Sequence, residues 1–225
     1  MSFFSKKIWR VVIKATKKAG ILGLLLAVIT IGSVSALDFG KSDAVPPGSL
    51  LISGSFELGT FYPVIVGTTD STLLGGDIAV DYALPFAALT VGASVGFSGA
   101  PVKVVLGDDP KLSLGEIPII VRIGYHPDFG IKNLDIYALG KIGFGIGFWS
   151  GDDKDDDTTN PMGLIYGFDL GVRYFFTPSI GVFAEGGYEY AFLDYEYKSD
   201  WLGTVKTAAY HNRFVSVGVT FKLGK

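Results

Sequence analysis

From residue 50 onward, apolar residues alternate one for one with small or polar ones in repeated runs. The run 89–98 shows this most plainly. Leu89, Val91, Ala93, Val95 and Phe97 interleave with Thr90, Gly92, Ser94, Gly96 and Ser98. Strand side chains point to alternate faces, so the run has one bulky apolar face and one small polar face. Seven more runs share the pattern: 50–62, 76–84, 116–126, 134–148, 163–175, 180–190 and 213–223. Most are near the ~9–11 residues that a tilted membrane strand needs. Pro118 has no backbone donor and is expected near a strand start or a bulge.

The connections alternate in length. Segments 85–88, 127–133 and 176–179 are short, whereas 63–75, 99–115, 149–162 and 191–212 are long. Short turns on one rim and long loops on the other predict a closed up-and-down barrel. The predicted fold class is therefore all-β: an eight-stranded antiparallel transmembrane β-barrel over residues 50–225. An even strand number puts both of its ends on the short-turn rim.

Which face points inward separates a membrane barrel from a soluble, lipocalin-like one. A wetted exterior carries long charged side chains in quantity. Here the polar face is mostly Gly, Ser, Ala and Thr, with scattered charges. Small side chains suit the inside of an eight-stranded barrel, which has room for little beyond its own side chains. The Val, Ile, Leu, Phe and Tyr face is assigned to lipid. Aromatics near the run ends suggest two girdles. Phe61, Tyr62, Phe97, Phe148, Trp149 and Tyr190 fall at the loop rim, and Tyr125, Tyr174 and Phe221 at the turn rim. Composition agrees: 48% apolar, 14% aromatic and 31 glycines, with no apolar run in the body of the chain as long as the ~18 residues of a spanning helix.

The first 36 residues differ. Lys6, Lys7, Arg10, Lys14, Lys17 and Lys18 precede the apolar run 21–31, and Val34 and Ala36 stand at small-residue cleavage positions. This predicts a cleaved signal peptide over 1–36. A retained anchor is the alternative, but the run is shorter than the ~17–25 residues of a span. Residues 37–49, with Pro46-Pro47-Gly48, are expected to form an extended periplasmic lead-in. Losing the leader leaves 13 of the 19 Lys and Arg against 22 acids, a net charge of −9. That argues against nucleic acid as a partner, which needs clustered cations. There is no cysteine, hence no disulfide, thiolate chemistry or Cys-linked lipid anchor.

The leader, the eight alternating runs and the short and long connections resemble the small outer-membrane barrels of diderm bacteria, the OmpA, OmpX and OmpW class. The resemblance covers residues 50–223 and is architectural. It implies an outer-membrane monomer with periplasmic termini, surrounded by outer-membrane lipid. It also implies a last strand read by the barrel-assembly machinery. Val215, Val217, Val219 and Phe221 match that terminal pattern, although Lys222-Leu223-Gly224-Lys225 follow the aromatic.

Three groups are candidate sites. Glu57, Asp77, Asp81, Arg122, Lys141, Asp169, Arg173, Glu185 and Glu189 lie on the inward face. They could gate a conduit, or they could simply fill the barrel as an ion-pair network. Asp152, Asp153, Asp155, Asp156 and Asp157 form an acidic loop and a weak Ca²⁺ candidate. Thr158 and Leu164 stand where an EF-hand needs glycine and a bidentate acid, so a solvated acidic loop is the simpler reading. Phe192, Tyr195, Tyr197, Trp201 and Tyr210 make the last loop aromatic: an interaction patch, or girdle and loop packing. Apolar residues at 102–106 could extend the third and fourth strands.

The only histidines, His126 and His211, lack the His-x-Ser arrangement of the deacylase barrels and are expected to be solvated rim residues. No enzyme activity, cofactor or metal is expected. The expected function is a structural and surface-interaction (adhesin-like) role toward a host or environmental ligand. A narrow pore or OmpW-like conduit for small or hydrophobic solutes is the alternative.

Overall fold

A computed structural model of the chain describes residues 42–63, 68–85, 88–101, 103–104, 113–150, 160–199 and 203–224, with backbone alone at 63, 68–69, 103–104, 193–199 and 203–209. The strands are β1 (Leu50–Pro63), β2 (Thr68–Thr69), β3 (Ser71–Ala83), β4 (Leu89–Pro101), β5 (Lys103–Val104), β6 (Ser113–Tyr125), β7 (Leu134–Ser150), β8 (Met162–Phe175), β9 (Ile180–Ser199) and β10 (Gly203–Leu223). Eight of them close into a barrel in the order β1-β10-β9-β8-β7-β6-β4-β3, and β3 pairs back to β1. Every neighbouring pair is antiparallel. The short β2 and β5 pair with each other inside the two long connections that carry them.

Each barrel strand sends one bulky apolar side chain after another outward. Phe56, Ile78, Val95, Ile119, Phe144, Leu170, Val182 and Val217, one from each strand, are all solvent-accessible in the isolated chain. Soluble monomers rarely expose a contiguous apolar patch beyond a few hundred Å². A band around the whole girth therefore calls for lipid as its solvent.

The opposite face fills the lumen in layers. Nearest the loop rim, Phe61, Leu73, Leu114, Ile120, Trp149, Ile165 and Tyr210 pack as one buried cluster. The charged side chains occupy the middle. At the turn rim, Ala44, Val45, Leu51, Ala83 and Phe175 form a second apolar cluster.

That second cluster corrects the expectation of an extended lead-in. From residue 42 the chain folds under the barrel mouth. Ser49 N–H donates to the Pro46 carbonyl (3.1 Å), and Gly48 has φ +81°. Pro at the first central position and a left-handed Gly at the second are what a type II turn requires. Lys222, on the inward face of β10, donates to the Ala44 carbonyl at 2.8 Å and lies over the Phe175 ring at 4.2 Å. The anticipated signal peptide falls outside the described residues.

Two further expectations change. Phe61 and Trp149 are buried inside the lumen, not in the outer girdle, because they share strand parity with the inward residues Glu57 and Lys141. The last long connection is mostly a hairpin, since β9 and β10 stay paired from Phe221↔Ile180 up to Gly203↔Ser199. Above the lipid the outward face no longer needs to be apolar, so alternation by hydropathy fades while the hydrogen-bond ladder continues.

Val217 sits mid-belt between Phe56 and Ala184 in register. Val217→Arg should destabilise the barrel by about 2–4 kcal/mol, as expected for a cation at the bilayer midplane. Refolding titrations in lipid vesicles measure this, and a change below about 0.5 kcal/mol would remove Val217 from the lipid face.

Candidate functional site: the charged lumen and the aromatic outer rim

The inward charges meet across glycines. Gly92 pairs with Asp81 on one side and Arg122 on the other. With no side chain between them, Arg122 Nε reaches Asp81 Oδ1 at 2.9 Å. A Cβ on Gly92 would strike Asp81 Oδ1 and the Val80 carbonyl. The same device recurs at Gly167, which separates Lys141 from Glu189 in register. Lys141 Nζ spans it to Glu189 Oε2 at 3.2 Å, and also pairs with Asp169 Oδ2 at 3.0 Å. Gly171 lies between Tyr137 and Glu185, and the Tyr137 hydroxyl donates over it to Glu185 Oε1 at 2.7 Å.

Toward the turn rim the network tightens. Asp135 is fully buried and accepts from Arg173 Nη1 at 3.2 Å. His126 Nδ1 lies 2.9 Å from Asp135 Oδ1, and its Nε2 lies 3.0 Å from Thr90 Oγ1. Arg173 also stacks over Tyr137, 4.7 Å to the ring centroid. A hydroxyl–imidazole–carboxylate row is the order of a nucleophile relay. Here Ser42, Val45, Ala83 and Leu89 close over it, leaving a cavity of about 10 Å³. One water needs about 10–15 Å³ by that measure, so the space beside the buried Thr90 is about that of a single water. The row acts as a packed polar network that satisfies buried groups.

Higher up, the Tyr210 hydroxyl donates to Glu116, and the Tyr210 ring lies 4.9 Å from Phe61. Between these layers is a cavity of about 40 Å³ lined by Ser55, Glu57, Asp77, Ser94, Lys141, Glu189 and Asn212 among others. That is room for about three waters.

All nine charges expected on the inward face stand there. Arg122 gathers Asp81, with Asp77 at 3.9 Å and Glu185 at 4.0 Å. Lys141 gathers Asp169 and Glu189, and Arg173 takes Asp135. Glu57 lines the cavity near Asp77, whose carboxylate accepts from Ser55. Among the described residues, four buried acidic or basic residues were absent from that expected set: Glu116, His126, Asp135 and Lys222. Strand parity would have supplied three of them, since Glu116 is in phase with Arg122, Asp135 with Lys141, and Lys222 with Thr220. His126 corrects the expectation of a solvated rim residue. The lead-in buries it, and nothing local in the sequence announces that contact.

The aromatic loop candidates separate. Tyr210 is a lumen residue, not part of a surface patch, because it shares parity with Asn212 and Phe214. Phe192 is on the outside of β9, 4.7 Å from Tyr190 and 6.1 Å from Tyr166. Tyr195 and Tyr197 fall in β9, where the backbone alone is described. Trp201 and the acidic run from Asp152 to Asp157 lie outside the described residues. Around Phe192 the outer surface carries Tyr62, Tyr166, Tyr188, Tyr190 and His211. The His211 ring stacks at 4.7 Å on Tyr62 and 5.6 Å on Tyr188.

Among solved structures, the chain is similar to the outer membrane protein OprG from Pseudomonas aeruginosa, with a TM-score of 0.55 and 15% identity over 83% of this chain and 99% of that one. It is also similar to Neisserial surface protein A, NspA, with a TM-score of 0.51 and 16% identity over 78% and 99%. The outer membrane protein AlkL, in lipid bilayers, gives a TM-score of 0.50 and 18% identity over 83% and 95%. The fold is that of a small eight-stranded outer-membrane barrel. At these identities the likeness is one of fold alone. No family model and no curated sequence matches the chain.

Removing Asp135 would strand two buried groups, Arg173 and His126. Asp135→Ala should cost about 3–5 kcal/mol, the usual result of breaking a buried pair from one side. Glu189→Ala, at the wetter cavity edge, should cost less than half as much. Urea unfolding of both variants in lipid measures the difference, and equal losses would mean that Asp135 is not the hub of the lower lumen.

Proposed function

We propose that this protein is a monomeric outer-membrane barrel that serves as a structural anchor and presents its loop rim to partners outside the cell. The observation that carries the reading is the filled lumen. Among the described residues, apolar clusters pack toward both rims, ion pairs cross the middle, and a cavity of about 40 Å³ between them has room for about three waters. A lumen so packed favours work at the surface over flow through the wall. The β9–β10 hairpin supports the same reading. These strands run 20 and 21 residues, about twice what the bilayer needs, so their upper halves stand clear of the lipid and carry Tyr195 and Tyr197. Trp201 lies in the connection between them.

In this reading both barrel ends are periplasmic and the loop rim faces outward. Val215, Val217, Val219 and Phe221 point to lipid along β10, where the assembly machinery would read the last strand. No reaction is assigned to the lumen. The alternative, a narrow conduit for small or hydrophobic solutes, draws on one specific feature: the residual cavity beside Lys141 and its two carboxylates.

Single-channel recording on the refolded barrel separates the two. The anchor reading expects no steady openings. Steady openings whose size changes in Lys141→Ala would establish the conduit instead. Protease treatment of intact cells should cut within 200–202 or 151–159, and complete resistance at both would contradict the outward loop rim.

A further inference from the structure

We propose that the outer surface around Arg213 is a binding site for the phosphorylated headgroup of a glycolipid of the lipid A type. The proposal rests on the outer-membrane reading, in which the loop rim meets the leaflet built from such lipids. Along the outward face of β10, Val219, Val217 and Val215 are followed by Arg213 and His211. Arg213 is exposed on the lipid side, and among the described residues no carboxylate lies within 4.0 Å of its guanidinium. A cation on the lipid face of a barrel is costly at mid-depth and tolerated near the headgroups, so the side chain belongs at the boundary between acyl chains and headgroups.

Its surroundings suit a phosphate. Tyr62 lies 5.5 Å from the guanidinium carbon, and Tyr188 is its register partner on β9. These rings hold the fork on the outer face without neutralising it, which leaves its donors for a bidentate oxyanion. His211, one outward position higher, stacks on the same Tyr62 ring.

Below the cation the surface dips. Gly186, in register between Leu170 and Val215, is open on its outer side, and a Cβ there would come within 4 Å of a single atom, the Phe214 carbonyl oxygen. Ala184 continues the dip downward. A strip of small residues beneath an arginine that no described carboxylate meets offers an acyl chain a seat and its phosphate a partner. Lipid is the occupant the geometry selects, because the face points into the bilayer, away from soluble partners.

Native mass spectrometry of the full mature barrel, refolded in detergent and titrated with bis-phosphorylated lipid A, tests this. Dephosphorylated lipid A and phosphatidylglycerol serve as parallel probes. The wild type should prefer bis-phosphorylated over dephosphorylated lipid A by about tenfold or more, the scale of one charge-assisted hydrogen-bond pair. Arg213→Gln should abolish that preference, Arg213→Lys should keep part of it, and Gly186→Leu should weaken binding of both lipid A forms. All variants should retain the heat-modifiable gel shift of a folded barrel. Equal lipid A binding by wild type and Arg213→Gln would overturn the site, and equally tight phosphatidylglycerol would overturn the assignment to glycolipid. Either failure leaves outer-membrane residence standing, which fractionation of cells decides separately.

Discussion

Charge placed inside an eight-stranded barrel must find a partner within the barrel, because the lumen is too narrow for water to solvate it. Every other feature of this interior follows from that constraint. Arg122, Lys141 and Arg173 each reach a carboxylate on a neighbouring or next-neighbouring strand. The sheet makes those contacts by leaving gaps. Gly92, Gly167 and Gly171 are the places where two flanking side chains close over an absent third. These three inward glycines are crossing points of the polar network, not spare volume. Among the described residues, the mid-height cavity within so Gly-rich a wall is about 40 Å³.

The same strands answer the opposite demand outside. One residue further along, the side chains of the mid-height belt meet lipid and are apolar. The two faces divide the work of the wall: ion pairs cross the lumen, and the apolar side chains of the belt meet lipid. The floor has its own seal. Lys222 and the turn at Pro46–Ser49 bring Ala44 and Val45 against Leu51 and Phe175, so the polar row from Thr90 to Asp135 is shut from the turn side too.

Alternation made the barrel, its strand number and its lipid face legible, since lipid and lumen impose a two-residue period that any strand such as 89–98 displays. Its weak points were the ends. Phe61 and Trp149 read as girdle aromatics by height, but parity turns them inward, and height is the looser guide. Sequence alternation predicts a loop where the upper β9–β10 hairpin stands, because residues 193–198 mix charge with aromatics. That mixture is what a strand standing clear of the membrane can tolerate. Asp135 and Lys222 were missed as the outermost members of their faces. The burial of His126 depends on a contact from residues 42–45, far away in sequence, which no local pattern carries. The aromatic cluster around His211 was visible only as scattered tyrosines until register brought β1, β8, β9 and β10 together.

The central claim is that the lumen charges are coupled in pairs across glycines and hold the barrel wall together. A double-mutant cycle across Gly92 tests it most directly, using Asp81→Ala, Arg122→Ala and the double variant, with unfolding free energies measured in lipid. Groups in direct contact couple by about 0.5–3 kcal/mol, and a buried pair should fall at the upper end, about 2 kcal/mol or more. Coupling within about 0.5 kcal/mol of zero would mean that the two charges are solvated independently, and the account of a filled, paired interior would fail.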